Sequence, residues 1–231
     1  DVTFQFCPDT NQQLLGVTVD GKSIGTPESY TYKNLTLNSR IVATFTGAML
    51  FLDVRREDWF YSDVRYVVEH GLFHGTTQEL FSPNAPMTRG MLVTVLYRLA
   101  GSPKSAADSG FADVAAGKYY ADAVSWAAEN GIVSGVSDGC FAPDSQVTRE
   151  QLAAILYRYA RDKRYDTGKT ADLMGFADYG QISGYAAEAL GWTNAEGLVS
   201  GRSKTALSPQ GSATRAEVAA ILHRFAENVA K

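Results

Sequence analysis

A mainly α fold, three helix-loop-helix repeats behind a small β unit, is predicted by three observations. Landmarks recur about every sixty residues, apolar residues inside each copy fall at helical spacing, and apolar residues in the first fifty positions alternate. Phe51-Leu52-Asp53-Val54 returns as Phe111-Ala112-Asp113-Val114 and, more loosely, as Phe176-Ala177-Asp178-Tyr179. Gly71-Leu72-Phe73-His74-Gly75 becomes Gly131-Ile132-Val133-Ser134-Gly135 and Gly197-Leu198-Val199-Ser200-Gly201. Phe81-Ser82-Pro83, Phe141-Ala142-Pro143 and Leu207-Ser208-Pro209 follow, and each copy then reaches Thr-Arg, at Thr88-Arg89, Thr148-Arg149 and Thr214-Arg215. All four landmarks shift by 60 positions between the first two copies; to the third the offset is 65 at Phe176 and 66 from Gly197, which requires a longer linker and one inserted residue. The copies are placed at 51–100, 111–160 and 176–227, after a β-rich unit at 1–50. Small-residue and charged linkers, Gly101 to Gly110 and Arg161 to Gly175, separate them.

In the β unit, Val2, Phe4 and Phe6 alternate, as do Val17 and Val19 before the turn Asp20-Gly21, and Ile41, Ala43 and Phe45. That period predicts half-buried strands. The first helix of each repeat is carried by Val64, Val67 and Val68, by Ala123, Val124, Ala127 and Ala128, and by Ala186, Ala189 and Leu190. Gly71, Gly131 and Gly197 then stand where a left-handed helix-ending residue is wanted. The second helix carries Leu92, Val95, Leu96 and Leu99, then Leu152, Ile155, Leu156 and Tyr159, then Val218, Ile221, Leu222 and Phe225. Thr148 with Gln151 and Thr214 with Glu217 predict complete capping boxes, whereas Thr88 faces Met91 and its box is incomplete. One such repeat cannot cover its own apolar stripe, so the copies are expected to pack on one another.

Composition bounds the function. With 45% hydrophobic residues the chain can bury a core, and a net charge of −4 with no run of five Lys or Arg argues against nucleic acid or anionic lipid as the main partner. No apolar stretch approaches the roughly 18 to 20 residues of a membrane span. The first residues, Asp1-Val2-Thr3-Phe4, lack the pattern of a signal peptide, so the chain reads as an internal or processed piece. Cys7 and Cys140 lie outside any zinc or redox spacing, leaving a disulfide or two unrelated thiols open. His70 and His74 are split by Gly71 and read as a solvated loop pair, and His223 as a helix residue in a packing or surface role. No GxSxG, Walker loop or Cys/His pairing is present, and no carboxylate pair is marked as acid and base. Triplication itself favours binding, because repeated weak sites gain affinity together.

The candidate chemistry lies at Thr-Arg. An arginine directly after the N-cap works against a macrodipole that already places about half a positive charge there, yet all three copies have one: Arg89, Arg149 and Arg215. Two readings stay open. Either guanidinium, helix-start amides and the hydroxyls of Thr88, Thr148 and Thr214 converge on a carboxylate or phosphate, or each arginine pairs with Asp53, Asp113 or Asp178 of a neighbouring repeat. Trp59, Trp126 and Trp192, which do not share one equivalent position, and Tyr119 and Tyr120 are candidates for a sugar-facing ring, with core packing as the alternative.

The Phe-x-Asp opening, the Gly-(Ile/Leu)-x-x-Gly segment, the Phe-x-Pro step and the motif Thr214-Arg215-Ala216-Glu217 resemble the S-layer homology domain family. The likeness covers about 51 to 227. It implies a pseudo-threefold helical assembly whose inter-repeat grooves bind secondary cell-wall polymer, commonly pyruvylated, with the pyruvyl carboxylate on Arg89, Arg149 and Arg215. The implied ligand-binding set adds Thr88, Thr148, Thr214, Asp53, Asp113, Asp178, Gly75, Gly135, Gly201 and Trp126. The second copy reads Thr148-Arg149-Glu150-Gln151; the chain departs from the motif at Gly90-Met91, and its third opening departs at Gly180-Gln181-Ile182. Tyr30 to Thr36 and Ile41 to Phe45 resemble short β repeats of Gram-positive surface proteins. The implied function is noncovalent anchoring of an extracellular surface protein to cell-wall polysaccharide, without catalysis, metal or cofactor, and continuous with an N-terminal cargo region. A protein-protein assembly module and a part of a wall-active enzyme are the alternatives. On the anchoring reading, Arg149→Ala with Arg215→Ala is expected to abolish wall binding and leave the thermal transition in place.

Overall fold

The computed structural model describes residues 1–8, 14–33, 38–45, 51–104, 108–137 and 139–230; Asn34, Leu35 and Thr36 of the β resemblance and Ser105 to Ala107 of the first linker lie outside them. The chain divides into two compact units, Asp1–Asp58 with Gly75–Phe81, and Trp59–His74 with Ser82–Lys231.

In the first unit, β1 (Val2–Gln5) pairs antiparallel with β4 (Ser29–Tyr32), while β2 (Leu14–Val19) lies between β3 (Lys22–Ser23) and β5 (Ile41–Phe45). Asp20 and Gly21 both take positive φ, 49° and 82°, the geometry of the tight hairpin turn that joins β2 to β3. Along β2 the expected alternation holds: Val17 and Val19 are buried and Leu15 is exposed. Along β1 it does not, since Val2 and Phe4 are both exposed. A two-stranded ribbon satisfies backbone groups but offers no second layer to cover a side-chain face. The same unit holds the opening of the first repeat, where the Phe51 and Phe81 rings sit 5.7 Å apart and Asp53 accepts from the Phe81 amide at 2.8 Å.

The second unit contains α1 (Tyr61–Glu69), α2 (Arg89–Leu99), α3 (Ala121–Glu129), α4 (Arg149–Asp162), α5 (Ala187–Ala195) and α6 (Arg215–Asn228). The first helix of each copy ends as expected: Gly71, Gly131 and Gly197 have φ of 67°, 65° and 69°, and the following amides of Leu72, Ile132 and Leu198 each reach back at 2.8 Å. Both capping boxes form at Thr148 and Thr214, and Thr88 caps alone. The third copy reaches α5 through two short 3-10 turns, Tyr179–Gln181 and Gly184–Ala186, where its sequence departs from the others.

The closest helix pairs join different repeats, and helices of one repeat meet through single ring contacts, Trp126 with Tyr159 and Trp192 with Phe225. The second helix of each copy receives the first helix of the next: α2 packs on α3, α4 on α5, and α6 on α1. The apolar stripe of every second helix is buried in these pairings, apart from a half-buried Leu99. Each buried aliphatic or Phe side chain contributes roughly 1.5–3 kcal/mol. A ring of backbone hydrogen bonds links the three copies: Met87 N–H donates to Ala213 O (2.8 Å), Ala213 to Val147 (3.0 Å), and Val147 to Met87 (2.9 Å). All three side chains are fully buried.

Candidate functional site

The Thr-Arg helix starts abut this ring, and their donors are already used. The amides of Arg89 and Gly90 donate to Ser145 and Pro143 of the second copy, those of Arg149 and Glu150 to Gly211 and Pro209 of the third, and those of Arg215 and Ala216 to Ala85 and Pro83 of the first. The hydroxyls of Thr88, Thr148 and Thr214 accept from Met91, Gln151 and Glu217. A cradle of helix-start amides and threonine is therefore filled by the protein itself. Carbonyl oxygens at the positive helix pole also explain why an arginine is tolerated there.

The guanidinium groups continue the same interlock. Arg89 Nε donates to Phe141 O (2.9 Å) and Nη2 to Ser134 O (3.1 Å). Arg149 repeats both bonds one copy on, to Leu207 O (3.0 Å) and Ser200 O. Arg215 Nη2 reaches His74 O (2.7 Å), with its guanidinium carbon 5.3 Å from the Phe73 ring centre. The three residues are 5%, 4% and 5% exposed, and burial lowers the pKa of Arg89 and Arg149 from the ordinary guanidinium value.

Asp113 and Asp178 feel the charge of Arg89 and Arg149 but are held by backbone amides rather than by a direct ion pair. Asp113 accepts from the amides of Phe141 (2.8 Å) and Ala142 (2.6 Å), and Asp178 from Leu207 (2.9 Å) and Ser208 (2.7 Å), all within the same repeat. Ala142 and Ser208 hold positive φ, 57° each, so the carboxylates clamp a backbone that side-chain-bearing residues avoid. Burial raises the Asp113 pKa, but the amide bonds and Arg89 together outweigh it and the net shift is downward; at Asp178 the Leu207 amide leads the same lowering, to which Arg149 adds. The glycines have a packing reason: a Cβ at Gly135 would lie 2.7 Å from Cys140 O, and at Gly201 2.5 Å from Ser203 O and 2.8 Å from the Phe176 ring. Gly75 is equally tight, 2.4 Å from the Phe51 ring. Trp126, expected as a ligand-facing ring, is 3% exposed and packed by Tyr97, Tyr159 and the Lys163 ammonium, which leaves no face for a sugar. Trp192 is buried likewise.

Two clefts open beside the arginines, each assembled from all three repeats. One, about 360 Å³, is lined by Arg89 from the first copy, by 133–136 with Gln151, Ala154, Ile155 and Arg158 from the second, and by Tyr185 from the third. The other, about 230 Å³, takes Arg149 from the second copy, 198–202 with Glu217, Ala220, Ile221 and Arg224 from the third, and Trp59 from the first. The third set of parts shares the plan: Arg98, on α2, donates to Leu72 O (2.9 Å), and Tyr119 is 60% exposed. Burial raises the Tyr119 pKa, against a lowering by its hydrogen bond to Thr88 and by Arg215 and Arg98.

Two repeat-equivalent triplets emerge, of which only Trp59 and Tyr119 were candidates from the sequence. Trp59, Tyr119 and Tyr185 occupy one repeat-equivalent position, directly before the buried helix-start residues Phe60, Tyr120 and Ala186, and are 62%, 60% and 54% exposed. Arg98, Arg158 and Arg224 occupy another, near the end of the second helix. Arg158 and Arg224 are half-buried and, among the described residues, have no hydrogen-bond or ion-pair partner.

The S-layer homology domain family matches residues 50–90, 110–153 and 175–219, one match on each repeat. The chain belongs to the S-layer homology domain family. Similar proteins include an amylopullulanase of Thermoanaerobacterium thermosulfurigenes, 30% identical over 97% of the chain and 12% of that protein. The surface-layer 125 kDa protein of Lysinibacillus sphaericus is 32% identical over 72% of the chain and 14% of its own length. A cellulosome-anchoring protein of Acetivibrio thermocellus is 27% identical over 69% and 36%. The chain therefore spans about an eighth to a third of these relatives. Membership of the S-layer homology family places it at the cell surface, in association with the wall.

The remaining sequence candidates resolve as follows in this S-layer homology chain. Cys7 and Cys140 are both free. His70 and His74 are exposed, and His70 stacks on Tyr66. His223 pairs with Asp63 at 2.8 Å across α6 and α1, where it stacks on the other face of Tyr66. Among the described residues no group of three or more His, Cys, Asp or Glu is arranged to hold a metal, and no helix is long and apolar enough to cross a membrane.

Proposed function

We propose that the chain anchors its parent protein to the cell wall, without catalysis, by holding an acidic wall polysaccharide in clefts between the repeats, and that the cyclic order of helix pairs is the pseudo-threefold arrangement of the family. The observation that carries this is the recurrence, at repeat-equivalent positions, of an exposed aromatic ring and an unpartnered helix arginine around a buried, carbonyl-fixed one. An uncompensated, half-desolvated guanidinium is costly unless an anion meets it. A flat ring beside it suits the apolar face of a pyranose. A sugar bearing a carboxylate, such as a pyruvate ketal, supplies both groups at the right scale.

In this reading Arg158 and Arg224 bind the carboxylate, while Arg89, Arg149 and Arg215 fix the cleft floors and lend positive potential. Gly135 and Gly201 keep the cleft walls close. The similarity to a cellulosome-anchoring protein and to surface-layer proteins supports retention at the wall, and the parent protein supplies the cargo. Sedimentation of the chain with purified cell-wall sacculi, before and after the secondary polymer is stripped, tests the proposal. Binding is expected to vanish with the polymer; equal binding to stripped walls overturns it.

A further inference from the structure

Along α4 the Arg89 cleft continues past Tyr185. A second cavity of about 140 Å³, lined by Tyr157, Arg161 and Glu188, shares Ala154, Arg158 and Tyr185 with the first. Tyr185 lines both, and it is fixed in place. Its hydroxyl donates to Glu150 at 3.0 Å, and Glu150, 2% exposed, also accepts from the Ser183 amide (3.0 Å) and hydroxyl (2.8 Å). Burial and that carboxylate push the Tyr185 phenol up to about 12, so it stays protonated and keeps donating at physiological pH.

The two compartments differ in charge. The first has two guanidinium groups, Arg89 and Arg158, and no carboxylate, because Gln151 stands where the third copy has Glu217. The second sets Glu188 against Arg161 and the shared Arg158, and is balanced once Arg158 is engaged by an acid in the first: Arg161 lies 5.9 Å over the Tyr157 ring, and Glu188 accepts from the Tyr157 hydroxyl at 2.7 Å. Arg158 stands at the junction of the two.

We infer that this is a two-subsite glycan site: an acidic sugar binds between Arg89 and Arg158, and the adjoining neutral sugar passes Tyr185 to meet Tyr157, Arg161 and Glu188. The inference rests on the wall-glycan reading above and extends it to the length and charge order of the ligand. A neutral but polar compartment favours hydroxyls over a second acid, since a second carboxylate would face Glu188. The larger compartment alone lies at the low end of the roughly 300–1,000 Å³ of small-molecule sites, and the smaller one adds room for a further ring.

The test uses the full chain and two probes, a methyl hexoside carrying a pyruvate ketal and the same sugar extended by one neutral hexose. Binding is followed by nuclear magnetic resonance at the Gly135 amide, in the first compartment, and the Ala189 amide, in the second. The extended probe is expected to bind at least fivefold more tightly and to shift both amides, the single sugar only Gly135. Arg158→Gln is expected to weaken both probes at least tenfold with an unchanged melting temperature, and Arg161→Gln to remove only the gain from the second sugar. An extended probe that binds no better than the single sugar, or wild-type affinity in Arg158→Gln, overturns the subsite assignment while polymer-dependent binding to sacculi stands. Loss of that sacculus binding in the wild type overturns both.

Discussion

The Arg89 and Arg149 clefts are assembled by the same rule, yet a single helix-start position gives them different chemistry. In the first the third residue of the helix is Gln151, and in the second it is Glu217. Both complete a capping box, so the fold does not distinguish them. The cleft does: Glu217 binds Arg202 through both oxygens (2.9 and 3.1 Å) and lies 3.8 Å from Arg149. Burial raises the Glu217 pKa, but Arg202, the Thr214 amide and Arg149 together bring it below the ordinary value. A carboxylate of the protein thus stands where an acidic sugar would be drawn, whereas the Gln151 cleft leaves its arginines uncompensated. A residue chosen equally well for helix capping can still decide whether an anion site is open.

The largest expected effect concerns what the two clefts share. Arg149→Ala orphans the carbonyls of Leu207 and Ser200, and a lost charged hydrogen bond with a buried unsatisfied partner costs about 1.5–3 kcal/mol. With two such bonds, about 3–6 kcal/mol, the melting temperature should fall by roughly 6–24 °C at about 2–4 °C per kcal/mol. This replaces the expectation that the arginines can be removed without touching stability; a melting curve that does not move would restore it. Lysine should not rescue, because one ammonium cannot span both carbonyls.

Asp113→Asn comes next, at about 2 kcal/mol, since a charged acceptor of two amides becomes a neutral one. The folded-state pKa of Asp113 and Asp178 is lowered, so their contribution is complete above the ordinary aspartate value of about 3.9 and is lost as pH falls through the lowered values. Acid titration of the variant should therefore show a shallower loss of stability below pH 4 than the wild type, and an unchanged acid limb would remove the clamp from the account.

The reciprocal exchange Glu217→Gln and Gln151→Glu addresses the comparison itself. The first should raise affinity for an acidic sugar at the Arg149 cleft severalfold, and the second should lower it at the Arg89 cleft by a similar factor, about 1 kcal/mol each way. Site-resolved titration at the Gly201 and Gly135 amides reads both, and equal affinities before and after would show that the third position is silent. Smallest of all, Tyr185→Phe removes one of three donors to Glu150, costing about 1 kcal/mol or less while keeping the ring. Trp59→Phe, where the indole makes only an edge contact with Phe60 among the described residues, should leave the melting temperature within error.

The helices, their glycine ends and their caps were legible because each is a local matter of spacing and side-chain chemistry. The destination of Arg89, Arg149 and Arg215 was not, since their acceptors are backbone carbonyls 52 and 58 residues away for the first two and 141 for the third, which no side-chain pattern announces. The partners of Asp113 and Asp178 were hidden for a related reason: an opposite charge suggests an ion pair, whereas amides of their own repeat satisfy them. Trp59 and Tyr119 stood among the candidates, but Tyr185 and the equivalence of the three positions were hidden by comparing tryptophans alone. Aligning the copies by register and asking for any aromatic would have found them at offsets of 60 and 66. The helix arginines were passed over because attention stayed on the apolar stripe of the same helix.

The pairing of α6 with α1 sets a schedule for the chain's own maturation. While α3 meets α2 soon after leaving the ribosome, α1 ends at Glu69 and its partner is complete only at Asn228. At about 5–20 residues per second, the buried face of α1 waits roughly 8 to 30 s for its cover. Val64 and Val67 are exposed throughout that interval. Until the last helix arrives, every earlier intermediate has an unpaired end, so this is the stage at which chaperone capture or mispairing with a second copy is most favoured.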